Sequence, residues 1–146
     1  MHKSPQQLAD AAAQAIYAHD RYALSLGMKL LDVAPGAARM QMTVRADMLN
    51  AHDTCHGGLI FTLADSTFAH ACNSHNKNAV AVTCLIEYLR PAHVGDVLTA
   101  SGAEQCLEGR NGVYDIRIEN QIGELVALFR GKSTQIKGEV TDMNER

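Results

Sequence analysis

Several features are scarce in this sequence, and each absence excludes something. There is no tryptophan and only 5% of the residues are aromatic, so the core must be built mainly from aliphatic side chains and methionine. No apolar stretch reaches the roughly 18 to 20 residues that cross a bilayer. The first twenty residues carry Asp10 and Asp20 instead of the apolar run of an export signal. We therefore expect a cytoplasmic protein that does not enter a membrane.

A basic excess is also missing. The chain has 13 Lys and Arg against 16 Asp and Glu, which gives a formal net charge of −3 and a pI near 6.1. Nucleic-acid-binding domains normally carry a surplus of positive charge, so we expect no nucleic-acid partner. A phosphorylated small ligand remains compatible with this balance, because it needs only two or three local cations.

The cysteines form no C-x-x-C pair. They are widely spaced, at Cys55, Cys72, Cys84 and Cys106. Such spacing favours free buried thiols in a reducing compartment. The length of 146 residues predicts a single domain, 1–146, because two domains would each have too little interior to bury.

Hydrophobic periodicity predicts a helix, a hairpin, a buried helix and then a run of antiparallel strands. Ser4, Pro5 and Gln7 form a helix start, and the N-terminal helix is assigned to residues 1–21. The other predicted elements are strands at 28–33 and 38–45, a loop at 46–56, a helix at 57–74, strands at 79–90, 96–107, 113–120 and 125–136, and a loose tail at 137–146. This order predicts an α+β fold in which an antiparallel sheet covers a central helix. Several strands are apolar on both faces, so self-association is expected to cover the far face of the sheet.

Asp65 is a carboxylate in the otherwise uncharged segment 57–72. The helix predicted there is apolar on every face, which is typical of a buried helix. A buried carboxylate must be paired, hydrogen-bonded or open to a solvated cleft, and no Lys or Arg occurs in residues 46–76. Burial raises a carboxyl pKa, which suits a general acid or base. A structural Asp bonded to Thr62, Ser66 or a neighbouring strand is an equally weighted alternative on position alone.

The residues before this helix supply donors. His56-Gly57-Gly58 precede it, so the N–H groups of the two glycines are unpaired at the positive end of the helix. Such a pair can form an oxyanion hole. Gly57 and Asp65 lie about 12 Å apart along the helix axis, too far for one small reacting centre unless the substrate lies along the helix. A symmetric dimer can instead bring Asp65 of one copy near Gly57 of the other.

The stretch LNAHDTCHGG at 49–58, continued by LIFTLAD, resembles the hotdog-fold acyl-CoA thioesterases, and most closely the phenylacetate-degradation, PaaI-type group. Further matches are ACNS at 71–74, YLRP at 88–91, GVYD at 112–115 and VALFRGK at 126–132. The resemblance covers about residues 22 to 136, and several motifs at matching spacing make it specific. It implies a hotdog fold, in which the antiparallel sheet wraps around the central helix.

The resemblance also implies a role at each matching position. The Gly57 N–H would polarise the thioester carbonyl with help from His56, and Asp65 of the facing subunit would act as general base on water or as nucleophile. Asn50 would orient the lytic water or the substrate. The Thr83 hydroxyl would assist from a strand.

Coenzyme A is part of the substrate of such an enzyme, so no cofactor is expected. The candidates to contact it are His52, Gly58, Arg90, Arg110, Arg130 and Lys132. Each of the four cations taken singly is also explained as a solvated charge at a strand end.

Two other chemistries are weighed in the loop. His52 and His56 are four residues apart, which suggests a metal pair, but the loop is not a convincing helix and contains no H-E-x-x-H motif. No metal site is therefore predicted. A nucleophile made of Cys55 and His56 is disfavoured, because adjacent residues seldom place a thiol in line with the neighbouring ring.

These features predict an enzyme that hydrolyses acyl-CoA thioesters, with phenylacetyl-CoA or hydroxyphenylacetyl-CoA as the expected substrate. We expect a dimer with two sites and, from the resemblance, a tetramer. A hotdog-fold acyl-CoA dehydratase is an alternative, although the H-G-G loop lacks the proline-containing pattern of those enzymes. A non-catalytic acyl-CoA-binding module is another, although Asn50 and Asp65 are both present.

Overall fold

The computed structural model describes residues 2–146. Its helices are α1 (Pro5–His19), α2 (Arg21–Ser25) and α3 (Gly57–Cys72), with 3-10 helices at Ala46–Met48 and Val140–Glu145. Its strands are β1 (Lys29–Ala34), β2 (Ala37–Thr43), β3 (Lys77–Tyr88), β4 (Val97–Glu108), β5 (Asn111–Glu119) and β6 (Leu125–Glu139). The strands form one antiparallel sheet in the order β1-β2-β4-β5-β6-β3. The predicted α+β arrangement, with a sheet covering a central helix, is confirmed.

The N-terminal helix begins where its cap predicts. The Gln7 N–H donates to Ser4 Oγ at 3.2 Å, and the Ser4 N–H donates to the Gln7 side chain at 2.9 Å, which satisfies two exposed backbone donors of the first turn. α1 ends at His19, and Asp20 then caps α2 by accepting from the Ala23 N–H at 3.1 Å. Met1, which the predicted range 1–21 includes, lies outside the described residues. Within residues 2–146, no helix is both long and apolar enough to cross a bilayer.

α3 packs against one face of the sheet. In β2 the alternate residues Ala38, Met40 and Met42 are buried against it, as period-2 patterning requires. At the centre the Phe68 ring comes so close to β6 that a Cβ on Gly131 would lie 2.8 Å from it. Glycine therefore permits the close approach of helix and sheet. The core contains the methionines that the sequence predicts.

β3 forms one edge of the sheet, and its far side pairs with no strand among residues 2–146. The strand is 12 residues long, and several of its apolar side chains are exposed, including Leu85 at 63% and Val82 at 55%. Proteins normally cover, shorten or charge such an edge, because a long apolar edge strand recruits another chain.

The prediction of a loose tail at 137–146 is wrong. β6 continues to Glu139, and the 3-10 helix that follows packs against α1, with Val140 fully buried among Ala12, Ala15 and Ile16. Val140 and the partly buried Met143 anchor the segment against α1. The segment is otherwise polar, so its sequence gave no sign that it packs against α1.

Candidate active site

The loop before α3 is shaped by the Asn50 side chain. Its Oδ1 accepts from the His52 N–H at 3.0 Å, and from the Thr54 N–H and hydroxyl at 3.2 Å each. A β-bridge between Leu49 and Cys55 closes the same loop. Because Oδ1 is already saturated, Asn50 has only its Nδ2 hydrogens to offer a substrate or a water. The orienting role of Asn50 stays a prediction, and in this structure the side chain could fill it only as a hydrogen-bond donor.

α3 begins at Gly57, with His56 as its N-cap. The His56 carbonyl accepts from the Leu59 and Ile60 N–H groups, and the His56 side chain makes no capping bond. The N–H groups of Gly57 and Gly58, in the first turn, have no acceptor within residues 2–146. They lie at the positive end of a 16-residue helix, where anions are favoured. Both predicted donors are therefore free to bind a ligand, and their role as an oxyanion hole stays a prediction.

A cleft of about 330 Å³ opens beside these donors. It is lined by Thr54, Cys55, Gly57, Ile60, Tyr88, Leu89, Arg90 and Pro91. The cleft has room for part of a small acyl or pantetheine chain, and it places one cation close to the helix N-terminus.

Asp65 lies about two turns further along α3 and is half-buried. Burial raises the pKa of its carboxyl group, and the nearby negative charge of Asp20 raises it further. Within residues 2–146 the carboxylate makes no hydrogen bond or ion pair. The Thr62 hydroxyl donates to the Gly58 carbonyl at 2.8 Å, and the Ser66 hydroxyl donates to Asp20 at 3.4 Å. Both local partners of the structural alternative are therefore engaged elsewhere.

The other predicted site residues are dispersed. Thr83 pairs with Lys132 of β6, next to a bulge in β3. Gly131 faces α3, so Lys132 and its partner Thr83 lie on the opposite face of the sheet. A single chain therefore does not bring the Thr83 hydroxyl to the α3 side, where Asp65 lies.

The four predicted cations also lie apart. Arg90 is in the cleft beside Gly57, and it pairs with Glu124 at 3.1 Å. Arg110 is in the turn between β4 and β5. Arg130 makes two bonds to Asp115, at 2.6 and 2.8 Å, which lower the pKa of that carboxyl and neutralise much of the arginine charge. Of the four, Arg90 is the best placed to meet a ligand that enters the cleft.

The other candidates in the loop are Cys55, His52 and His56. Burial raises the pKa of Cys55 to about 11, so its thiol stays protonated near neutrality, whereas a nucleophile must be a thiolate. His52 and His56 are exposed. Within the part of the chain that the structure describes, no three His, Cys, Asp or Glu side chains are grouped to hold a metal ion.

Two residues near the site escaped the sequence interpretation. The Tyr88 hydroxyl donates to the Gly57 carbonyl at 2.7 Å, and Asp20 approaches α3 through Ser66. Tyr88 belongs to the YLRP motif at 88–91, so a signal was present, although no role followed from it. No local pattern links Asp20 to α3, because the two are joined only by folding.

Comparisons with known proteins identify the family and the fold of this chain. The family model of the Thioesterase superfamily matches residues 52–127. The acyl-coenzyme A thioesterase PaaI of Escherichia coli is 49% identical over 129 residues, which cover 88% of this chain and 92% of that protein. The structure of E. coli PaaI, from the phenylacetic acid degradation operon, matches with a TM-score of 0.91 and 47% identity, over 93% of this chain and 99% of that one. The smu.793 protein of Streptococcus mutans, solved bound to acetyl CoA, matches with a TM-score of 0.73 and 26% identity, over 77% and 90%.

The chain belongs to the thioesterase superfamily, and its α+β architecture is the hotdog fold, in which the antiparallel sheet wraps around α3. The resemblance to the PaaI-type group is likewise confirmed, at high identity over most of the chain. The protein is therefore an enzyme of the thioester hydrolase class, as predicted.

Proposed function

We propose that this protein hydrolyses acyl-CoA thioesters to free acid and coenzyme A, with phenylacetyl or hydroxyphenylacetyl as the acyl group. One observation carries the proposal. The helix that presents two unpaired glycine N–H groups at its N-terminus also holds Asp65, a half-buried carboxylate without a partner among residues 2–146. The names of two similar proteins support the coenzyme A thioester: an acyl-coenzyme A thioesterase, and a protein solved with acetyl CoA.

The chemistry divides between these groups. The Gly57 N–H stabilises the oxyanion that forms on the thioester carbonyl, and a donor of this kind is worth on the order of 10² to 10³ in rate. Asp65 takes the proton of the attacking water, or attacks the carbonyl itself. A general base contributes roughly 10² to 10⁴. The thiolate leaves without a strong acid, so the proposed reaction requires only the chain, water and the substrate. Asn50 Nδ2 donates to the water or the carbonyl.

The site is proposed to form between two copies of the chain. Gly57 and Asp65 lie about 12 Å apart along α3, so one helix does not bring both to one carbonyl carbon. The free edge of β3, with its exposed apolar side chains, supports antiparallel pairing with the β3 of a second copy. Such a dimer has two sites, each with Asp65 from one protomer and the Gly57 loop from the other. Exposed Leu85 and Leu128 on the outer face of the sheet support further pairing to a tetramer.

Release of free thiol tests the function directly. Phenylacetyl-CoA, hydroxyphenylacetyl-CoA and straight-chain acyl-CoA thioesters are compared at matched concentrations, and an enoyl-CoA is followed for hydration. Thiol release with a preference for the arylacetyl substrates is expected. Binding of thioesters without thiol release contradicts hydrolysis and favours a binding module, and hydration of the enoyl-CoA without thiol release favours the dehydratase.

A mixing experiment tests the shared site. Asp65→Asn removes the carboxylate, and Asn50→Asp keeps the acceptor that shapes the loop but removes the Nδ2 donor. If each site takes the two residues from different protomers, unfolding and refolding the two inactive variants together restores one site in each mixed dimer. The mixture then recovers about a quarter of the wild-type rate. Each variant refolded alone is the control. No recovery in a mixture that contains mixed dimers contradicts the shared site.

A further inference from the structure

Tyr88 lies at the end of β3 and contacts the first residue of α3. Its hydroxyl donates to the Gly57 carbonyl at 2.7 Å, across 31 residues of sequence. Its ring occupies the space where a Gly57 side chain would lie, since a Cβ there would be 3.1 Å from Tyr88 Cζ and 3.2 Å from the hydroxyl. The Tyr88 ring also lines the cleft beside the donors.

The bonded carbonyl belongs to a particular peptide group. The Gly57 C=O and the Gly58 N–H are two ends of one planar unit, so an interaction that fixes the carbonyl also fixes the direction of the N–H. A hydrogen bond accepted by the carbonyl oxygen draws electron density from the amide nitrogen and strengthens its N–H as a donor. Gly57 and Gly58 are the first two residues of α3, and without Cβ atoms they restrain the backbone of that first turn less than other residues would. The hydrogen bond from the Tyr88 hydroxyl therefore adds a restraint on the orientation of this peptide.

We propose that Tyr88 is a positioning residue of the oxyanion hole: its hydroxyl orients and polarises the Gly57–Gly58 peptide, so that the Gly58 N–H acts together with the Gly57 N–H on the developing oxyanion. This inference rests on the proposed function. Tyr88 does not touch the reacting atoms and acts only through the peptide. Partial burial and the neighbouring Cys55 raise the pKa of Tyr88, so the hydroxyl stays protonated and remains a donor at neutral pH.

Tyr88→Phe tests this role, because it keeps the ring in the cleft and removes only the hydroxyl. The expected result is a fall in kcat of roughly tenfold with KM nearly unchanged, less than the loss of a whole oxyanion donor. Tyr17→Phe is the matched control, since the Tyr17 hydroxyl donates to the Met28 carbonyl at 2.9 Å, away from the site. An unchanged kcat in Tyr88→Phe overturns the proposal. So does a rise in KM alone, or an equal loss in both variants.

A spectroscopic measurement separates this proposal from the proposed hydrolysis. The amide ¹H–¹⁵N resonance of Gly58 is compared between wild type and Tyr88→Phe without substrate. Loss of a hydrogen bond to the Gly57 carbonyl is expected to shift the Gly58 resonance more than that of Leu59. If Gly58 moves no more than Leu59, the proposed coupling is absent, whatever the activity. If the resonance shifts but wild type releases no thiol from any thioester, the coupling stands and the hydrolytic function fails.

Discussion

Replacing Asp65 by asparagine is expected to change activity and stability in opposite directions. The substitution keeps the shape of the side chain and removes its charge. As a general base the carboxylate is worth roughly 10² to 10⁴ in rate, so kcat should fall by that factor. The fall corresponds to about 3 to 5 kcal/mol of barrier, at 1.36 kcal/mol for each factor of ten. The charge makes no ion pair or hydrogen bond within residues 2–146, so its removal should not lower the free energy of unfolding.

The stability change depends on pH. Burial, and then Asp20, raise the pKa of Asp65 in the folded state above its ordinary value near 3.8. The folded protein therefore favours the protonated form, and the contribution of this group to stability is full below pH 3.8 and is lost as pH rises through the raised pKa. The asparagine variant does not titrate at this position. Its advantage in unfolding free energy over wild type should therefore be small in acid and largest at neutral pH.

Thiol release from phenylacetyl-CoA measures the rate, and urea denaturation at several pH values measures the free energy of unfolding. Asp10→Asn is the matched control, because Asp10 is exposed on α1 and its carboxylate only accepts a bond from Gln6. A variant that loses both activity and stability at neutral pH would refute the argument, since Asp65 would then be a structural partner. If the variant instead releases thiol at a near-normal rate, Asp65 is not a catalytic residue.

Three further predictions concern Asp20, Val140 and Cys55. Asp20→Asn should lower the pKa of Asp65 and move the acid limb of the kcat/KM–pH profile to lower pH, while keeping the cap of α2; an unmoved limb would contradict the coupling. Val140→Ala should reduce the free energy of unfolding by about 1 to 3 kcal/mol in urea, because it leaves a cavity under the C-terminal 3-10 helix; no loss would mean that the tail is not docked. Cys55→Ala should keep kcat in the wild-type order of magnitude, and a loss as large as that of Asp65→Asn would revive a thiol mechanism.

Much of the fold follows from local pattern. The Ser4 cap, the alternation of β2 and the all-round apolar character of α3 each depend on residues close in sequence, and the elements they predict are present. The unpaired donors at Gly57 are local in the same way, because the first turn of any helix leaves its N–H groups without acceptors.

Other features depend on residues that only folding brings together. Val140 packs against α1 from the far end of the chain, so the order of the polar C-terminal segment could not be predicted from its own residues. A bulge in β3 decides which face Thr83 occupies, and bulges leave no reliable mark in the sequence.

The surroundings of Asp65 separate what the sequence predicts from what only the tertiary structure decides. By itself the sequence determined that a carboxylate lies in a buried helix behind two glycine donors, because helix periodicity and helix ends are short-range properties. Only the tertiary structure decided that Ser66 bonds to Asp20 and that Tyr88 donates to the Gly57 carbonyl, whereas the bond from Thr62 to the Gly58 carbonyl is made within α3. The Tyr88 and Asp20 contacts join residues that are 31 and 46 positions apart, and a chain acquires them only when separate elements pack against α3.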